Sequence, residues 1–219
     1  MKKINLVLIG LTALSTLSVA QEAVEVKNTN DLRRQLMLGL KVGANYSNVY
    51  DSKGEQFNAD PKLGFVGGAF LAIPIGKYIG VQPEVLFSQK GFIATGNILG
   101  SPYSFTRTTE FIDIPLFFAL KPTEFLTLLA GPQFSYLLKQ KDVFESSAVS
   151  SDQEKEFSND NIRKNIMGFV GGIDITLTRM VIGGRVAWDA QTNNGDGSSS
   201  TPRYKNVWYQ LTFGYRFGS

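Results

Sequence analysis

Apolar and polar residues alternate with a period of two along most of the chain beyond residue 35. In the last stretch, Val207, Tyr209, Leu211, Phe213, Tyr215 and Phe217 interleave with Trp208, Gln210, Thr212, Gly214 and Arg216. The first sets Leu36, Leu38, Leu40, Val42, Ala44 and Tyr46 against Gly39, Lys41, Gly43 and Asn45. Successive strand side chains point to opposite faces, so this alternation predicts strands with one apolar face. The same reading sets Val81, Val85 and Phe87 against Gln82, Glu84, Ser88 and Lys90. It sets Leu126, Leu128, Ala130, Phe134 and Tyr136 against Thr127, Gly131, Gln133 and Ser135. Phe169, Ile173 and Ile175 oppose Gly168, Gly172 and Asp174, and Ile182, Val186 and Trp188 oppose Arg185 and Asp189. The second and fourth stretches are apolar on both faces in places, and their orientation stays open.

Eight such stretches of about ten residues run from Leu36 to Phe217. The connectors alternate between long (47–62, 93–107, 138–163, 191–205) and short (74–78, 121–124, 178–179). Short turns at one rim and long loops at the other predict an all-β, eight-stranded antiparallel up-and-down transmembrane β-barrel. Eleven residues rising ~3.3 Å each and tilted ~45° cover roughly 26 Å, close to the apolar band of such barrels. Pro83, Pro115 and Pro132 fall inside strands and predict bulges or other irregularities, because each removes a ladder donor. Gly64-Phe65-Val66-Gly67-Gly68 recurs as Gly168-Phe169-Val170-Gly171-Gly172, and Leu40-x-x-Gly43-x-x-Tyr46-Ser47 resembles Leu128-x-x-Gly131-x-x-Phe134-Ser135. Either a duplicated four-strand half or convergence on common barrel residues accounts for this.

The first residues have another character. Lys2 and Lys3 precede an apolar run from Ile4 to Leu17, then Ser18-Val19-Ala20. This predicts a signal peptide over 1–20, cleaved after Ala20, since the run is shorter than the ~20 residues of a spanning helix. Residues 21–35 read as a short polar periplasmic tail, in which Asp31 suits the cap of a brief helix, and 36–219 as the barrel. Removing Lys2 and Lys3 takes the formal charge from +3 to +1, so no nucleic-acid partner is expected. With no cysteine, an exported chain has no disulfide scaffold, and stability rests on packing and backbone pairing.

These residues bring a family into view. Leu40-Lys41-Val42-Gly43-Ala44-Asn45, Gly80 to Gly91 with its Val81-Gln82-Pro83-Glu84-Val85 core, and Asp113-Ile114-Pro115-Leu116 carry it, with Ala130-Gly131-Pro132 and Phe213-Gly214-Tyr215-Arg216-Phe217. The chain resembles the PorT-like, "porin family" outer-membrane β-barrel proteins, which are similar in shape to OmpX and the OmpA barrel. The resemblance implies residence in the cell outer membrane and raises a secretion-machinery partner. Phe217 is followed by Gly218-Ser219, a departure from barrels that end on an aromatic residue.

Candidate chemistry is narrow. The chain contains no histidine, so it lacks the imidazole base of Ser-His-Asp hydrolysis and the ordinary zinc, copper or haem ligands. No enzyme, cofactor or metal site is expected. Asn193-Asn194-Gly195-Asp196-Gly197 lacks EF-hand spacing and reads as a turn. Lys41, Glu84, Lys90, Asp113, Asp174, Arg185, Asp189 and Arg216 are the candidate polar network of the lumen. Tyr46, Phe87, Phe134, Tyr136, Trp188, Tyr209, Phe213, Tyr215 and Phe217 are the candidate lipid-facing aromatics. An eight-stranded barrel is just wide enough for side chains to fill, so paired charges predict a packed core.

The predicted loop 138–163 is rich in acids (Asp142, Glu145, Asp152, Glu154, Glu156, Asp160) and reads as a solvated surface or a cation-bridged contact to lipopolysaccharide or an envelope protein. The leading functional expectation is a non-enzymatic, monomeric barrel with a structural, surface-interaction or assembly-support role, bathed in outer-membrane lipid. A narrow porin for small solutes is the first alternative. A secreted, lipocalin-like barrel enclosing an apolar ligand is the second; it requires the aromatic faces to point inward.

Overall fold

The computed structural model describes residues 31–50, 58–98, 101–146, 150–155, 162–194 and 203–217. The predicted signal peptide and residues 21–30 of the predicted tail lie outside the described residues. Among the described residues, nine strands follow a short 3-10 helix, Leu32–Arg34, which begins directly after Asp31. They are β1 (Met37–Tyr50), β2 (Asn58–Pro74), β3 (Ile79–Ile98), β4 (Ser101–Leu120) and β5 (Leu126–Ser146). Then come β6 (Ser150–Lys155), β7 (Asn165–Leu177), β8 (Met180–Asp189) and β9 (Lys205–Phe217).

Eight of the nine form a ring. Each strand pairs antiparallel with its neighbour in the order β1-β2-β3-β4-β5-β7-β8-β9, and β9 returns to β1 from Leu38↔Phe217 to Tyr50↔Lys205. Closure leaves no free edge in the ring, a condition for placing a sheet in hydrocarbon. The start of β1, the end of β9 and the turns after β2, β4 and β7 sit at one rim. The turn Thr178-Arg179 is so tight that Thr178 adopts a left-handed φ of 57°.

Alternation carries over to burial. In β9, Trp208, Gln210, Thr212 and Arg216 are buried while Tyr209, Leu211, Phe213, Tyr215 and Phe217 are exposed. The two stretches of open orientation resolve the same way. β2 turns Val66, Phe70 and Ala72 inward, and β4 turns Phe111, Asp113, Phe117 and Ala119 inward with Ile114, Leu116 and Phe118 outward. Their ambiguity arose because the lumen accepts aromatics as well as charges. The repeated segments face alike: Phe65 and Phe169 outward, Val66 and Val170 inward. A Cβ on Gly43 or on Gly131 would collide with the carbonyl of Leu211 or Leu116 on the adjoining strand.

The prolines interrupt pairing without moving its register. Pairs are skipped between Phe70↔Glu84 and Ile73↔Val81, where Pro83 would donate, and between Pro83↔Leu116 and Leu86↔Asp113, opposite Pro115. A third gap, between Pro115↔Gln133 and Phe118↔Ala130, contains Pro132. The register shifts lie elsewhere, between Pro61 and Val66 and between Glu110 and Phe111.

Two connector assignments are corrected. Most of 93–107 is strand, since β3 and β4 stay paired up to Ile98↔Ser101. The predicted loop 138–163 likewise begins as strand: β5 runs on to Ser146, and β6 pairs with it from Gln140↔Lys155 to Glu145↔Ser150. β5 therefore has two partners on one edge, β7 along Leu126–Tyr136 and β6 farther out. In these outer segments the outward face is mostly polar and the inward face mixes Phe92, Ala94 and Phe105 with Arg107 and Asp142, so the apolar-out contrast disappears although backbone pairing continues.

Candidate functional site

The inward face carries three tiers of buried charge. Nearest the short-turn rim, Lys41 Nζ donates to Glu84 Oε1 at 2.7 Å, and Arg185 Nη2 donates to Asp174 Oδ1 at 2.7 Å. Arg185 Nη2 also lies 3.6 Å from Glu84 Oε1, joining the two pairs. Gln82 Nε2 bridges both carboxylates, at 2.9 Å to Glu84 and 3.2 Å to Asp174. The tier thus ties β1 and β3 to β7 and β8 across the lumen. Lys41 lies over the Phe70 ring and Arg185 over the Phe117 ring. Glycine makes room for this: a Cβ on Gly183 would sit 2.7 Å from both Asp174 Oδ1 and Thr212 Oγ1.

In the middle tier, Lys90 Nζ lies 3.0 Å from both Asp113 oxygens and 3.7 Å from the centre of the Trp208 ring. Trp208 is 1% exposed and packs with Phe117, Ala119, Leu129, Val170 and Ala187 as an apolar belt inside the barrel. Asp189 accepts from Asn206 instead, through Nδ2 at 2.6 Å and the backbone amide at 3.2 Å. Farther out, Arg107 makes a two-pronged pair with Asp142, 2.8 Å on each arm, and Gln140 donates to the same carboxylate. Arg107 also meets the Tyr204 hydroxyl at 3.4 Å and lies over the rings of Phe105, Phe92 and Tyr204. Burial pushes the Tyr204 phenol above its ordinary value, which keeps it neutral.

All eight candidate lumen residues are buried, at 5% exposure or less. Six of them stand in ion pairs: Lys41, Glu84, Asp174, Arg185, Lys90 and Asp113. Asp189 and Arg216 do not join an ion pair among the described residues. Of the candidate lipid-facing aromatics, Phe87 is half-buried and the other eight are exposed on the outer wall.

Sequence reasoning missed Arg107, Asp142, Gln140 and Tyr204. It had placed Arg107, Asp142 and Gln140 in loops and Asp142 on an acidic surface. The available signal was the Arg107↔Asp142 register match, invisible until β4 and β5 are paired. Glu156 and Asp160 lie outside the described residues. Among the described residues, no three acidic side chains converge as a metal site.

A closed ring of eight tilted strands with an apolar, aromatic exterior and an ion-paired interior defines an outer-membrane β-barrel. That polarity is the reverse of a lipocalin-like barrel, whose aromatic faces would line the cavity. The chain belongs to the family described as "Outer membrane protein beta-barrel domain", which it matches over residues 19–215, and it resides in the outer membrane. Comparison with curated proteins finds no match. Among solved structures it is similar to Ail, the attachment invasion locus protein of Yersinia pestis, at 14% identity, covering 84% of this chain and 99% of that one, with a TM-score of 0.47. It is also similar to OprG of Pseudomonas aeruginosa at 14% identity, covering 86% and 100%, with a TM-score of 0.38. Neisserial surface protein A is similar at 10% identity, covering 82% and 97%, with a TM-score of 0.44.

Proposed function

We propose that this barrel is a non-enzymatic, monomeric membrane scaffold. Its lumen is a packed polar core, and its working surface is the outer extension built from β3, β4, β5 and β6. One observation carries the reading: the tier of Lys41, Glu84, Gln82, Asp174 and Arg185 crosses the lumen from wall to wall. Ions moving through would have to break buried pairs whose partners are costly to leave uncompensated. The role is structural, surface-interacting or assembly-supporting, with lipopolysaccharide or an envelope protein met through the outer connectors. The PorT-like resemblance suggests secretion machinery as such a partner, and it is an analogy that no residue here carries. The chain matures by cleavage after Ala20, which N-terminal sequencing of membrane-extracted protein checks by reading from Gln21.

Reconstitution in planar bilayers tests the central claim. Silent bilayers are expected at protein densities that give the heat-modifiable gel band of a folded barrel. Stable, reproducible unit conductance would overturn the packed core and favour a narrow porin.

A further inference from the structure

The chain crosses its own barrel before the first strand begins. Arg33, in the 3-10 helix ahead of β1, is 9% exposed, and its Nη2 lies 3.7 Å from Glu124 Oε1 in the β4–β5 turn. Its backbone carbonyl accepts from Lys121 Nζ in the same turn at 3.3 Å. The guanidinium also lies over the ring of Tyr78, in the β2–β3 turn, 5.3 Å from its centre. Those two turns are themselves joined, Lys121 N donating to Tyr78 O at 2.7 Å. In the ring β5 stands opposite β1, with three strands between them on either side, so the β4–β5 turn belongs to the far wall. The stretch from Arg33 to Met37 spans about 13 Å when extended, enough to cross a ring just wide enough for side chains.

The lumen beside this crossing is dry. Met37, Ala72, Ala119, Thr127, Thr176 and Val181, inward-facing near the short-turn rim on six different strands, are each 5% exposed or less. Lys121 continues the inward parity of Phe117 and Ala119 and is itself 5% exposed. A lysine at an open rim extends its ammonium into water; this one is tied to Arg33 O. We infer that residues 32–36 form a latch that closes the periplasmic mouth of the lumen, held by Arg33 against the β4–β5 turn. The Arg33 ion pair has a partner that is 63% exposed, so it is a weak tie that opens and recloses. Ring pairing begins at Met37, so the latch opens without breaking the barrel. An open latch admits periplasmic water to the inner tier of Lys41, Glu84, Asp174 and Arg185.

Labelling of a single introduced cysteine tests this, because the chain has none of its own. T127C, on the full chain folded in detergent, places a thiol behind the latch, where a hydrophilic maleimide reaches it only when the mouth opens. Adding R33A should speed labelling by about tenfold or more, since the reaction follows the population of the open form. R34A, which removes an exposed charge one residue away, should leave the rate unchanged. Loss of a nearby cation lowers the thiolate fraction, so acceleration by R33A reports access and not charge. Labelling of T127C as fast as in urea-unfolded protein overturns the latch, and so does an unchanged rate after R33A or an equal acceleration by R34A. If R33A does not give the heat-modifiable band, K121M, which removes the tie to Arg33 O, is read in its place against the same outcomes. Conductance plays no part in this readout, so failure of the packed core and failure of the latch are distinguishable.

Discussion

The two halves of this barrel are made of the same strands and differ in what surrounds them. In the inner half, eight strands close a ring, the exterior is apolar, and the charges inside are joined across the lumen. In the outer half, β3, β4, β5 and β6 continue as an extended sheet whose outward face is mostly polar, while its inward face mixes Phe92, Ala94 and Phe105 with buried charge. Arg107 and Asp142 face inward there, while Thr106, Thr108, Glu110 and Lys141 occupy the alternate positions. Gln89 Nε2 donates to Glu110 Oε1 across the outer face at 3.1 Å. Apart from the gaps at Pro83, Pro115 and Pro132, backbone pairing continues through both halves. The hydrophobic code therefore reports where lipid lies, not where strands end.

The largest effect should come from the inner half. D174A leaves Arg185 buried without its closest carboxylate and is expected to cost roughly 3–5 kcal/mol. A urea midpoint read from tryptophan fluorescence measures it, and D174L combined with R185M should recover most of the loss. Recovery failing would mean that the charges do more than fill space.

The outer half should respond more mildly. R107A breaks a two-pronged pair at the outer end of the lumen and is expected to cost about 2 kcal/mol. Its signature is local: faster amide exchange over 101–107 and 141–145 with the heat-modifiable band preserved. Loss of that band would show that the two halves fold as one unit.

A smaller change, of opposite sign, is expected at the inner rim. Thr178 holds a left-handed backbone that a β-branched residue tolerates poorly. T178G should raise stability by up to about 1 kcal/mol, read as a later urea midpoint. Deleting residues 145–158, the end of β5 and all of β6, should leave barrel folding and its midpoint essentially unchanged. A protein that no longer inserts would overturn the division between ring and extension.

Much of the inner half was legible because hydrocarbon outside and a confined polar space inside impose strict alternation. Lys41, Glu84, Asp174 and Arg185 were readable as inward residues from parity alone. Their partnerships were not, because Gln82 meets Asp174 across 92 positions of sequence. Trp208 was readable as inward, yet its contact with Lys90 depends on how three strands curve together. Arg107 and Asp142 escaped notice because water bathes the outer face at their level, and polar residues there erase the period-2 contrast. The gaps at Pro83, Pro115 and Pro132 show the same limit, since a missing donor is legible but its effect on register is not.

By itself the sequence determined that strands exist, which face of most of them is apolar, and where the short turns fall. Those properties follow from side-chain parity and local turn length. Only the tertiary structure decided which buried cation meets which carboxylate, that Arg216 joins no ion pair among the described residues, and that β5 takes a second partner beyond the ring. Each of these is set by strand register and curvature around the closed barrel, which are collective quantities that no single segment encodes.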